Sequence, residues 1–242
     1  MCAKNLKSIF NRLFTYVKKN NRLAHLREVI LGNEMAEQRQ LQPIHLTWLN
    51  RSQEQAVNRV LATKEVAVAH GPPGTGKTTT LVEAVYETLR RENQVMVCAQ
   101  SNTAVDWIAE KLLDRGVNVL RIGNPTRVND KMLSFTYERK FESHPAYPTL
   151  RAARASIREL SERLKRLKGA KRESARRMLH DLRDQAIKLE IKIDAQLFGE
   201  ARVIACTLVG SANKQLNGKM FSTLFIDEAA QALEAACWIA IS

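Results

Sequence analysis

Five short, almost wholly apolar runs punctuate this chain: EVAVAH at 65–70, QVMVCAQ at 94–100, VNVLRIG at 117–123, ARVIACT at 201–207 and STLFIDE at 222–228. Stretches of helical character lie between most of them, over Lys77 to about Arg91, about Thr103 to Arg115, and again after 228. A sheet with one wet face would alternate polar and apolar residues. Runs that are apolar throughout need cover on both faces, a condition met by parallel strands joined through helices. The expected fold is therefore α/β, a doubly wound parallel sheet. With 242 residues and 45% apolar content, the chain can fill such a core.

A different texture separates the third run from the fourth. Leu150, Ala153, Ile157, Leu160, Leu164 and Leu167 follow a 3,4,3,4,3 spacing, and Ala175, Leu179, Leu182, Ala186, Leu189 and Ile193 follow 4,3,4,3,4. Two heptad stripes joined by KGAKRES predict an antiparallel helical hairpin inserted at 147–197. It divides an α/β domain into 47–146 and 198–242, behind a basic helical lead-in at 1–46 that ends near Pro43. Arg151, Arg154, Arg158, Arg163, Lys165, Arg166, Arg176 and Arg177 crowd the hairpin's remaining positions. They form either a solvated outer face or a surface for phosphates. The 38 Lys and Arg against 25 Asp and Glu, a net charge of +13, favour a polyanionic partner.

The chemistry concentrates at two strand ends. Gly71, Gly74, Gly76, Lys77 and Thr78 satisfy G-x-x-x-x-G-K-[ST] between a predicted strand and a predicted helix. Glycines let backbone N–H groups close around a phosphate without Cβ clashes, and the helix N-terminus adds its positive end. Lys77 is placed to reach the β- and γ-phosphates, and the Thr78 hydroxyl to ligate Mg²⁺. After the strand TLFI, Asp227 is the candidate metal partner, through water, and Glu228 the group that polarises an attacking water. Two acids opening an ordinary strand-to-helix turn are the plainer alternative for that pair. Beside Lys77, they point to a nucleoside triphosphatase.

The order LNRSQEQAV, HGPPGTGKTTT, CAQSNTAVDWIAEKLL, IACTLVGSAN and DEAAQALE resembles the first, RecA-like motor domain of superfamily 1 helicases. The resemblance is to the branch that contains the up-frameshift, senataxin and immunoglobulin-mu-binding helicases, and it runs from about Thr47 to Glu234. It implies ATP with Mg²⁺ as cofactors. Gln53 then matches the glutamine that recognises adenine, and Gly71, Pro72, Pro73, Gly74, Thr75, Gly76, Lys77, Thr78 and Thr79 form the triphosphate cradle. Gln231 matches the γ-phosphate sensor and joins Lys77, Asp227 and Glu228 as a catalytic residue. Ser101, Asn102 and Thr207 match positions that touch the backbone of a single-stranded RNA or DNA. Hydroxyls and amides beyond strand ends suit phosphates, although the same residues serve as helix caps.

The resemblance also implies parts this chain does not contain: a second RecA-like domain with its arginine fingers, and a small β-barrel. The expectation is an ATP-binding motor half of a helicase that has little activity alone. Two other readings stay open. One is a nucleotide-switched nucleic-acid-binding module without translocation, and the other is a different phosphate-loop ATPase, such as a ring-forming one. No apolar run approaches the roughly 20 residues of a membrane span. Cys2, Cys98, Cys206 and Cys237 are far apart, with no metal-ligand spacing, which predicts buried thiols in a reducing intracellular setting, cytoplasmic or nuclear, and no metal beyond Mg²⁺. Leu6, Ile9, Phe10, Leu13, Phe14 and Val17 share a helical face in an acid-free stretch, a packing stripe that also imitates an organelle transit peptide.

Overall fold

The computed structural model describes residues 21–241. Cys2 and the stripe from Leu6 to Val17 lie outside the described residues. Four parallel strands form the sheet: β1 (Val95–Ala99), β2 (Val119–Arg121), β3 (Val203–Thr207) and β4 (Leu224–Asp227), in the order β2-β3-β1-β4. β1 holds the centre. Val95 to Ala99 pair with Val203 to Thr207 on one side, and Met96 to Ala99 pair with Leu224 to Asp227 on the other.

Because side chains alternate across a strand, each run feeds two cores. Val95, Val97, Ala99, Val203 and Ala205 pack with helices α2 (Arg51–Ala62), α3 (Lys77–Leu89) and α4 (Asn102–Leu113). Met96, Cys98, Ile204 and Cys206 face the other way, toward residues of α6 (Tyr137–Ser143), α7 (Tyr147–Leu164), α8 (Gly169–Glu200) and α9 (Glu234–Ile241). Both faces are covered, as the unbroken apolar runs require. Two short helices precede these groups in the chain, α1 (Asn21–Ile30) at the start and α5 (Asp130–Leu133) after β2.

The helical hairpin is α7 followed by α8. All twelve heptad positions are buried or half-buried, from fully enclosed Leu150 and Ile193 at its base to half-buried Leu167 and Ala175 at its tip. Its root is fastened to the sheet by Gln94 Nε2, which donates to the carbonyls of Phe198 and Ala201, each at 2.7 Å.

Two expectations are corrected. EVAVAH at 65–70 is not a strand: residues 66–70 have no ladder partner, and Val68 is 83% exposed. A run becomes a strand only when a neighbour accepts its backbone bonds, and neither edge of the sheet, β4 or β2, pairs with this segment. The lead-in is less helical than its composition suggested. Helix α1 stops at Ile30, before Gly32 in the left-handed region (φ +78°), and 31–50 run without helix. Asn58 holds this irregular segment by accepting from Ile44 N (2.8 Å) and donating to Ile44 O (2.9 Å).

Glu83 ties that segment to the domain. It is fully buried on α3, accepting from Trp48 Nε1 at 2.9 Å and pairing with Arg115 at 2.6 Å. Burial pushes its carboxyl up, but the Arg115 and Trp48 bonds outweigh burial and hold it below the usual range. A depressed carboxylate pKa stabilises the fold above the unfolded value and loses that contribution as pH falls through the folded one. Glu83→Gln is therefore expected to lower stability at neutral pH and to flatten the loss of stability below about pH 4.5, measured by urea unfolding across acid pH.

Candidate nucleotide and nucleic-acid site

Helix α3 begins at Lys77 after Gly76, which has φ +77° and supplies no side-chain cap. The first-turn N–H groups of a helix have no intrahelical partner, so this end presents its donors to an anion. Gly74 shares the left-handed conformation, with φ +79°. Lys77 Nζ donates to the carbonyls of Gly71 (2.8 Å) and Pro72 (2.9 Å), and Thr75 Oγ1 donates to Pro72 O (2.8 Å). Pro72, Pro73, Thr75, Lys77 and Thr79 are exposed, while Thr78 is half-buried.

Gln53 joins this loop from α2. It completes a capping box with Asn50, and its Nε2 donates to Thr75 O at 3.0 Å. A Cβ on Gly76 would stand 2.6 Å from that Nε2. Gly76→Ala thus adds roughly 1 to 2 kcal/mol of left-handed backbone strain and displaces Gln53. The expected outcome is a lower melting temperature with weaker binding of a fluorescent ATP analogue, measured by thermal melt and titration.

α3, which the loop opens, packs against β4, the strand that ends in the acids. Asp227 is half-buried at the end of β4, and its Oδ1 accepts from Glu228 N at 3.0 Å. Glu228 has φ +54° and is the one non-glycine residue with positive φ among the described residues. Such a conformation costs on the order of 1–3 kcal/mol and is characteristic of functional turns. It leaves the Glu228 side chain exposed, and Gln231 is also exposed at the end of a short 3₁₀ turn, Ala229–Gln231. A hydroxyl and a carboxylate are the hard oxygen ligands that Mg²⁺ takes beside phosphates and water, so Thr78 and Asp227 fit that ion. Among the described residues no group of three or more His, Cys, Asp or Glu could hold a metal.

The proposed nucleic-acid residues sit on the same rim. Ser101 caps α4, its hydroxyl accepting from Ala104 N at 3.1 Å. Thr207 ends β3, its hydroxyl accepting from Gly210 N at 3.1 Å. Both hydroxyls keep an O–H to donate outward. Asn102 opens α4, and its Oδ1 accepts from Arg121 at 2.9 Å. Here the structure adds residues that sequence reasoning missed. Arg121, fully buried on β2, also donates to Asp106 Oδ1 (2.7 Å) and Ile122 O (2.6 Å), and Asp106 Oδ2 accepts from Asn129 N (3.0 Å). The available signal was a lone arginine inside an apolar strand, which needs a buried acid as partner.

Cys98 and Cys206 are in-register neighbours on β1 and β3, with Sγ atoms 3.5 Å apart as free thiols. Contact with Cys206, followed by burial, drives the Cys98 thiol well above its ordinary value. Among the described residues no helix is long and apolar enough to cross a membrane.

Residues 48–242 match a family model described as "AAA domain". The chain belongs to this family, as an N-terminal RecA-like domain of the superfamily 1B helicases. It is 37% identical over 192 residues to the DNA polymerase alpha-associated DNA helicase A of Schizosaccharomyces pombe, covering 79% of this chain and 29% of that protein. Similarity to the DNA-binding protein SMUBP-2 of Rattus norvegicus is 34% over 198 residues, covering 80% and 20%. For the ATP-dependent helicase NAM7 of Saccharomyces cerevisiae it is 34% over 194 residues, covering 80% and 18%. The chain thus spans less than a third of the length of these relatives.

Proposed function

We propose that this domain is the ATP-binding motor half of a nucleic-acid helicase, coupling ATP hydrolysis to movement along, or unwinding of, RNA or DNA. One observation carries the reading. Ala99 of β1 pairs with Asp227 on one side and Thr207 on the other, so the acids of the nucleotide site and the nucleic-acid loops end on one rim, roughly 10 Å apart at two strand spacings. A shift of one loop against its neighbour therefore crosses a single rigid strand.

In this reading Gln53 recognises adenine, residues 71–79 cradle the triphosphate, and Lys77 carries the compensating charge. Thr78 and Asp227 would hold Mg²⁺, which draws charge from the phosphates when bound. Glu228 accepts a proton from the attacking water, and Gln231 contacts the γ-phosphate. Ser101, Asn102 and Thr207 donate to the backbone of a single strand. Residues 147–197 are an insertion within the motor, and a second RecA-like domain supplies the arginines that complete the cleft. The free thiols of Cys98, Cys206 and half-buried Cys237 support an intracellular setting, cytoplasmic or nuclear. For the 242 residues alone, the expected outcome is Mg²⁺-dependent binding of an ATP analogue with little turnover and no unwinding, read by equilibrium titration, phosphate release and strand separation. Strand separation by the chain alone would contradict it.

One feature favours a second reading, a nucleotide-switched binding module: Arg151, Arg154, Arg158, Arg163, Arg176 and Arg177 are all exposed on the hairpin. Reversing Arg151 and Arg158 to Glu is expected to weaken single-strand binding severalfold and to reduce its salt dependence. Unchanged affinity in an anisotropy titration would reduce these arginines to a solvated face.

A further inference from the structure

We infer that Arg121 is a positioning residue for nucleic-acid binding, one that fixes the amide of Asn102 with its Nδ2 hydrogens directed outward as donors to a backbone phosphate. The inference rests on the reading of Asn102 as a strand contact.

An asparagine amide has an acceptor end and a donor end that are nearly equal in shape, so only its hydrogen bonds decide which end faces a ligand. The guanidinium donates and never accepts, so its 2.9 Å bond claims the oxygen end of Asn102. What remains is the NH₂ group. A phosphate oxygen only accepts, so this is the orientation a nucleic-acid backbone can use. The bond is also charge-assisted. A cation on Oδ1 polarises the amide and makes its N–H groups better donors.

The guanidinium itself has no freedom to do otherwise. It is fully buried, held by Asp106 one helical turn beyond Asn102 on α4, and by the carbonyl of the next residue, Ile122. Gly123, with φ +153°, lets it pass, because a Cβ there would stand 3.1 Å from Arg121 Nη1. Asp106 in turn accepts from Asn129 N. Helix α4 after β1 and the segment after β2 thus converge on one fork. A lysine could keep the charge beside Asp106, but one ammonium cannot reproduce this planar fork to Asp106, Ile122 and Asn102 together.

The test uses anisotropy of fluorescein-labelled oligo-deoxythymidine and oligo-uridine, each taken with wild type, Asn102→Ala, Arg121→Lys and the double variant, alongside titration with a fluorescent ATP analogue. Asn102→Ala and Arg121→Lys are each expected to weaken strand binding roughly tenfold, with analogue affinity unchanged. The double variant is expected to be no weaker than Asn102→Ala, since Arg121 acts only through that amide. Strand affinity that is normal in Arg121→Lys but lost in Asn102→Ala overturns the inference and leaves the Asn102 contact standing. Losses that add in the double variant overturn it as well, because they assign Arg121 a general structural role. No loss in Asn102→Ala removes the underlying contact and the inference with it. If Arg121→Lys does not fold, Gly123→Ala displaces the same guanidinium from the loop side, and the same non-additivity with Asn102→Ala is expected.

Discussion

Lys77→Ala in the intact protein is expected to remove nucleic-acid-stimulated ATP turnover by at least about a hundredfold, the scale lost with one preorganised charge at a developing anion. Two effects act together. In the proposed site the ammonium compensates the charge of the phosphates, and its bonds to the carbonyls of Gly71 and Pro72 also hold the loop's curvature. Affinity for a fluorescent ATP analogue should therefore fall along with turnover. Glu228→Gln separates chemistry from binding. The glutamine keeps the shape and backbone of the φ +54° turn but cannot take a proton. Analogue affinity should persist while turnover falls by a similar factor. Stimulated hydrolysis retained in both variants would sink the assignment of this site to ATP hydrolysis.

Asp106→Ala carries the largest expected cost to stability. Asp106 is 2% exposed and Arg121 is fully buried, so removing the carboxylate strands a cation in the core. Breaking such a pair costs about 3–5 kcal/mol, mostly because the remaining charge is uncompensated. For a domain of this size the melting temperature should drop by roughly 6–20 °C, measured by thermal unfolding. Removing both partners, as in Asp106→Leu with Arg121→Met, should recover much of that loss, because no charge is then left buried. A single variant that melts like wild type would show that the pair is solvated.

Much of the fold is written in local chemistry. Runs such as VMVCA and VIAC are apolar on every residue and, between helical stretches, read as central parallel strands, while the heptad stripes read as both arms of the hairpin. The turn into α3 was equally legible, since Gly74 and Gly76 take the positive φ that only glycine adopts readily and the helix opens at Lys77. EVAVAH shows the limit of such reading. Its residues have strand character, yet pairing is a property of neighbours, and Val68 stands exposed without one. Arg121 shows another limit. Asn102, Asp106 and Arg121 lie on a helix and a strand whose mutual placement is tertiary, so no spacing announces their contact. Trp48, Glu83 and Arg115 were hidden in the same way, joining three segments through one buried carboxylate.

Helix α8 has a mechanical consequence. Its 32 residues make a rod of about 48 Å, and the chain runs from its root through Ala201 and Arg202 directly into β3, whose far end is Thr207. Gln94 pins that junction from the neighbouring strand, and Arg202 clamps it by donating to the carbonyls of Asn93 and Glu92. The pinned junction acts as a fulcrum with a long arm on one side and a short one on the other. A tilt of about 5° swings the hairpin tip by about 4 Å while moving the Thr207 end by about 1 Å, given the rises of helix and strand. Any tilt of the junction would therefore move the arginine-bearing tip about four times as far as Thr207.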